Sequence, residues 1–137
     1  TIYIVATEKG NPDYAGLFTF LRNRLHKRAL LLILTSLDDP ILAEQFLQGV
    51  DLVCRKHLVV VHPLSAPGVE PLFHEADTPR SVHEIYQGVE GHLTWERVRA
   101  LRKQVVQRGV RWAPLTPDAM TSDLINQYLD IKERQLI

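Results

Sequence analysis

The chain has 137 residues, enough for one domain with a buried core, and 45% of them are hydrophobic, as a globular fold requires. Sixteen basic residues balance sixteen acidic ones, which argues against a nucleic-acid binder with a basic face. One cysteine excludes an internal disulfide and fits a reducing compartment, so a soluble, cytoplasmic domain is expected. The longest strongly apolar run, Ala29 to Leu34, is too short to span a bilayer, and the opening residues, without a basic n-region and apolar h-region, lead to the expectation of no signal peptide.

Thr1 to Thr7 is β-branched and aromatic, as in a strand, and Gly10-Asn11-Pro12-Asp13 breaks it. From Asp13, a plausible N-cap, Tyr14, Leu17, Phe18, Leu21 and Leu25 form an amphipathic helical stripe. The basic stretch Arg22, Arg24, His26, Lys27 and Arg28 suits that helix's C-terminal end. Ala29 to Thr35 has no alternation and reads as a strand buried on both faces. Asp39-Pro40 is an N-cap followed by Pro at the first helical position, and Leu42, Phe46, Val50, Val53 and Cys54 mark one face of the next helix. His57 to His62 is a second buried strand.

Residues 63–79 hold four prolines and read as a long surface loop. Ser81 and Glu84 form a capping box that starts a helix. Gly88 and Gly91 are expected to weaken or break it, with a restart at Thr94 and an apolar stripe of Val98, Leu101 and Val105 up to a stop at Gly109. Val110 to Pro114 is a third, shorter strand, and Thr116-Pro117 opens a last helix with Leu124, Tyr128 and Ile131 inward. Strands separated by helices imply an α/β fold with a parallel sheet flanked by helices, Rossmann-like, in a single domain over residues 1–137.

Four segments carry a resemblance. They are Lys27-Arg28-Ala29-Leu30-Leu31-Leu32-Ile33-Leu34-Thr35, Arg55-Lys56-His57-Leu58-Val59-Val60-Val61, Glu96-Arg97 in a helix ending at Gly109-Val110, and Leu124-Ile125-Asn126-Gln127-Tyr128-Leu129-Asp130-Ile131-Lys132. In this order they resemble the bacterial family catalogued as domain of unknown function 58, whose core is similar to a von Willebrand factor A domain. The resemblance implies a doubly wound sheet whose first strands this chain lacks. It also implies a metal-ion-dependent adhesion site, made by an Asp-x-Ser-x-Ser loop, a Thr on a second loop and an Asp after a later strand, suited to Mg²⁺. Pro12 falls near the Thr position and Thr35-Ser36 replaces the Thr-Asp pair, so no bound metal or other cofactor is expected. Family members are often encoded beside MoxR-type AAA+ ATPases, which implies a protein partner of that kind. Many also carry membrane spans upstream, with this domain on the cytosolic side.

Asn11, Asp13, Thr35, Ser36, Asp38 and Asp39 thus form the candidate partner-contact face, at the strand carboxyl ends where open α/β sheets bind ligands. Turn formation and helix capping explain the same residue types. The leading expectation is a protein-interaction or scaffold domain without catalytic residues, and the competing one is a small α/β hydrolase using Asp38 or Asp39. Ser36 lacks a Gly-x-Ser-x-Gly elbow, and no Gly-rich phosphate loop is present. His26, His57, His62, His74, His83 and His92 show no zinc spacing and read as strand-end or surface residues. Cys54 reads as an inert core thiol, Trp112 as core, and Trp95 as either core or interface. A strand at 29–35 without earlier strands beside it exposes an edge, which points to homodimerisation by edge pairing or by exchange of N-terminal segments.

Overall fold

The computed structural model describes residues 12–64, 81–115 and 117–134. In chain order the elements are α1 (Tyr14–Arg24), β1 (Leu30–Thr35), α2 (Pro40–Val50), β2 (Leu58–Pro63), α3 (Val82–Gln107), β3 (Arg111–Trp112), a 3-10 turn (Pro117–Ala119) and α4 (Met120–Glu133). The sheet is three-stranded, parallel throughout, in the order β1-β2-β3. The α/β class with a helix-flanked parallel sheet, of Rossmann-like character, is therefore present. The expected strand at 1–7, Asn11, Thr116 and all but the first two residues of the 63–79 loop lie outside the described residues. No helix among the described residues is long and apolar enough to cross a membrane.

Local chemistry sets the helix starts. Asp13 Oδ1 accepts a hydrogen bond from Gly16 N at 3.0 Å, and Asp39 Oδ1 accepts from Ile41 N at 2.8 Å and Leu42 N at 3.2 Å. Ser81 Oγ accepts from Glu84 N at 3.2 Å, the first half of the expected capping box. Each cap satisfies amides that have no carbonyl one turn earlier. Gly109, at φ 81°, ends the turn after α3 in a conformation that disfavours a side chain.

The register pairs Leu31 with Val59 and Ile33 with Val61. Leu31, Val59 and Val61 share one apolar cluster with Tyr14, Phe18 and Leu21 of α1, Phe46 and Val50 of α2, and Leu101 and Val105 of α3. Three helices therefore cover one face of the sheet. At its centre the Phe46 ring meets Tyr14 and Phe18 edge-on, with centroids 5.4 and 5.7 Å away. The second face carries Leu32, Leu34, Val60 and His62. Val60 and His62 are buried, while Leu32 and Leu34 are 36% and 42% exposed. This corrects the expectation that 29–35 is buried on both faces. Ile131 of α4 reaches a cavity of about 530 Å³ that Val60 also lines, and no described element covers β1 on that side.

Three further expectations change. Helix α3 is continuous through Gly88 and Gly91. Two glycines cost it about 1 kcal/mol each, but without a proline or a left-handed residue nothing forces the chain out of helix. The first helix stops at Arg24, so His26, Lys27 and Arg28 lie beyond it. The last helix turns Ile131 fully inward, whereas Leu124 is half-buried and Tyr128 is exposed, its ring under the Lys132 ammonium at 6.0 Å. Trp112 packs against the core cluster, half-buried, as does Cys54, whose thiol pKa is pushed up by burial and by the Asp51 carboxylate.

Two stability outcomes follow from this packing. A Cβ at Gly49 would overlap the Phe18 ring, standing 3.1 Å from Cε2. Gly49→Ala should cost about 1–3 kcal/mol in urea denaturation, as overpacked core sites do; a stabilised variant would show that α1 and α2 separate freely. Ile131→Ala should lose about 2–5 kcal/mol and Leu124→Ala clearly less; the reverse order would place the other face of α4 inward.

Candidate functional site at the strand carboxyl ends

The N-terminus of α1 and the loop after β1 meet at one end of the sheet. They are joined by a short hydrogen bond between the Tyr14 hydroxyl and Thr35 Oγ1. Burial raises the Tyr14 pKa and the bond to Thr35 partly offsets it, so the phenol stays protonated and able to donate. Leu64 N donates to Thr35 O at 3.0 Å, which ties the end of β2 to the same point. Leu37 is buried in the core cluster and pins the 36–39 loop. Beside it, Ser36 Oγ donates to Asp38 Oδ2 at 3.2 Å.

Of the six candidate residues, Asp13, Thr35, Ser36, Asp38 and Asp39 are brought to this end and Asn11 lies outside the described residues. Their chemistry is largely committed. Asp13 and Asp39 each spend a carboxylate oxygen on backbone amides, and Asp38 holds Ser36. Among the described residues no three His, Cys, Asp or Glu side chains gather to hold a metal ion, and no histidine hydrogen-bonds Ser36, Asp38 or Asp39. The donor set does not fit Mg²⁺, which needs several oxygens converging on one point.

Sequence reasoning missed Tyr14 and Leu37. Tyr14 belongs to the apolar stripe by its spacing, yet a phenol rather than a phenyl ring one residue past the cap is the available signal. Leu37 stands out as the one apolar residue between Ser36 and Asp38.

His57 and His62 take the strand-end positions expected of them, but neither is at the surface. Both are buried, at opposite ends of β2. His57 Nδ1 accepts from Ala29 N at 3.1 Å. His62 Nδ1 lies 2.8 Å from Ala113 O, so it carries the proton and donates. Neither Nε2 has a partner among the described residues. A cation at either ring would be poorly solvated, and burial lowers both pKa values from 6.5, aided at His57 by Lys56 and opposed at His62 by the Ala113 carbonyl.

Comparison with protein-family models, with curated proteins and with solved structures finds no match.

The two histidines set a pH dependence. Their folded pKa values lie below the unfolded value of 6.5, so the unfolded chain takes up protons first as pH falls. Their contribution to stability is complete above 6.5 and is lost as pH drops through the lowered folded values. The urea midpoint should therefore fall between about pH 7.5 and pH 5.5, and His62→Gln should flatten that slope. A midpoint that rises over the interval would show that the rings are charged in the folded state.

Proposed function

We propose that this chain is a protein-interaction domain of von Willebrand factor A type, related to the domain of unknown function 58 family, with a degenerate metal-ion-dependent adhesion site. Its partner-contact face is the strand carboxyl end presenting Asp13, Thr35, Ser36, Asp38 and Asp39. The observation that carries this reading is the Tyr14–Thr35 hydrogen bond, which holds two loops in one surface while their carboxylates cap helices. A surface so braced is preorganised to recognise a protein but supplies neither a converging metal-ligand set nor a nucleophile–base pair. A MoxR-type AAA+ ATPase is the partner class the resemblance suggests.

Two measurements test this. Calorimetry with Mg²⁺, Mn²⁺ and Ca²⁺ should show no tight binding; micromolar affinity abolished by Asp38→Ala would restore a metal-dependent reading. Capture of a purified MoxR-type ATPase by the chain should fall roughly tenfold or more with Ser36→Arg, a bulky charge at the centre of the face. Unchanged capture would move the contact elsewhere, and no capture by the parent chain would reject this partner class.

A further inference from the structure

Sixteen basic and sixteen acidic residues cancel in number but not in space. All three strands run the same way, so the connections that enter them meet at one end of the sheet. Lys56 Nζ donates to Leu25 O at 3.1 Å, Ala29 N donates to His57 Nδ1 at 3.1 Å, and Arg108 Nε donates to Asp51 Oδ1 at 2.9 Å. The segments 22–29, 51–57 and 108–110 are thereby tied into one surface. They carry Arg22, Arg24, Lys27, Arg28, Arg55 and Lys56, and their one acidic residue, Asp51, is already held by Arg108. At the opposite end, residues 12–16 and 35–44 contain Asp13, Asp38, Asp39 and Glu44 and no Lys or Arg.

Local structure explains only part of this charge. Arg22 and Arg24 sit in the last turn of α1, where a cation offsets the helix dipole, but neither α2 nor α3 has a basic residue in its last turn. Lys27, Arg28 and Arg55 lie past the helix ends, are exposed, and make no hydrogen bond or ion pair with any described residue. Like charges gathered this way repel one another, and an external anion relieves that cost.

The chemistry of the surface selects among polyanions. Helices α1, α2 and α3 all direct their C-termini to this end, so it offers no helix N-terminus to a phosphate and no helix to a nucleic-acid groove. The three segments contain no Phe, Tyr or Trp on which a base could stack. Leu52, 39% exposed, is their one large exposed apolar side chain, too little for the buried anchors of a protein interface. A lipid surface needs neither groove nor anchor, only cations within a Debye length of its headgroups. We propose that this end of the domain docks on a bilayer bearing anionic lipid headgroups, with Lys27, Arg28 and Arg55 at the contact. The acidic end is repelled by the same headgroups, so the carboxyl ends of the strands face away from the bilayer. The docking surface is separate from that face and does not depend on the function proposed for it.

Vesicle co-sedimentation reads the docking directly. At about 0.1 M salt the chain should pellet with phosphatidylcholine vesicles that contain about 30% phosphatidylglycerol, and should stay in solution with phosphatidylcholine alone or at about 0.5 M salt. Arg28→Glu and Arg55→Glu should each weaken partitioning roughly tenfold. Arg97→Glu makes the same charge change about 15 Å before the end of α3 and should weaken it less than about threefold. Far-UV circular dichroism at the parent intensity confirms that each variant is folded. Failure to pellet with the anionic vesicles overturns the proposal. So does equal binding to neutral vesicles, or a loss with Arg97→Glu that matches those with Arg28→Glu and Arg55→Glu. Displacement from the vesicles by a short DNA duplex at equal phosphate concentration overturns it in favour of nucleic acid.

Discussion

Strand β2 is the constraint on which the rest of the structure depends. It pairs with β1 on one side and β3 on the other, and every one of its residues except Leu58 is buried. A strand enclosed this way must satisfy all its amides and carbonyls within the sheet, because no water reaches them. Parallel pairing meets that need only if the chain returns to the same end after each strand. That requirement sends α2 and α3 along the sheet, and their apolar sides then complete the cluster over Val59 and Val61. The helices are placed by the strand, and the loops at its carboxyl end are placed by the helices.

Much of this order was legible in the residues. The capping pairs at Asp13, Asp39 and Ser81 marked three helix starts, because a short oxygen-bearing side chain satisfies an amide wherever a helix begins. The same rule hid the limits of the reading elsewhere. A run such as Leu30 to Leu34 specifies a strand without saying how many of its faces will be covered, since coverage belongs to other parts of the chain. Glycine is likewise ambiguous. Gly49 is where two helices approach too closely for a methyl group, Gly109 is a left-handed turn, and Gly88 has open space around it inside an unbroken helix. Only the geometry separates these three.

The candidate face was legible as a location but not as a chemistry. Thr35, Ser36, Asp38 and Asp39 had to lie at the carboxyl end of a strand, and they do, Thr35 as the last residue of β1. Their hydrogen bonds, however, run to the backbone, to each other or, from Thr35, to the Tyr14 hydroxyl, which a list of polar residues cannot reveal. Tyr14 is the instructive case. Its ring serves the core while its hydroxyl crosses to Thr35, so one side chain joins the apolar cluster to the polar loops. Packing around Phe18 and Phe46 therefore fixes the relative position of the α1 N-terminus and the loop after β1 more firmly than any contact between the loops themselves.

Helix α3 shows the opposite relation between core and surface. In its second half Leu101 and Val105 face the sheet, and Asp51 clasps Arg108 at 2.9 Å beside the end of α2. Before Trp95 the apolar residues point elsewhere, and Trp95 marks the change, its ring between His92 and the Arg99 guanidinium. The apolar direction rotates between the two halves, so a single moment averaged over the helix conceals both stripes. One stripe holds the domain together. The other, running from Val82 to Leu93, is exposed along its length.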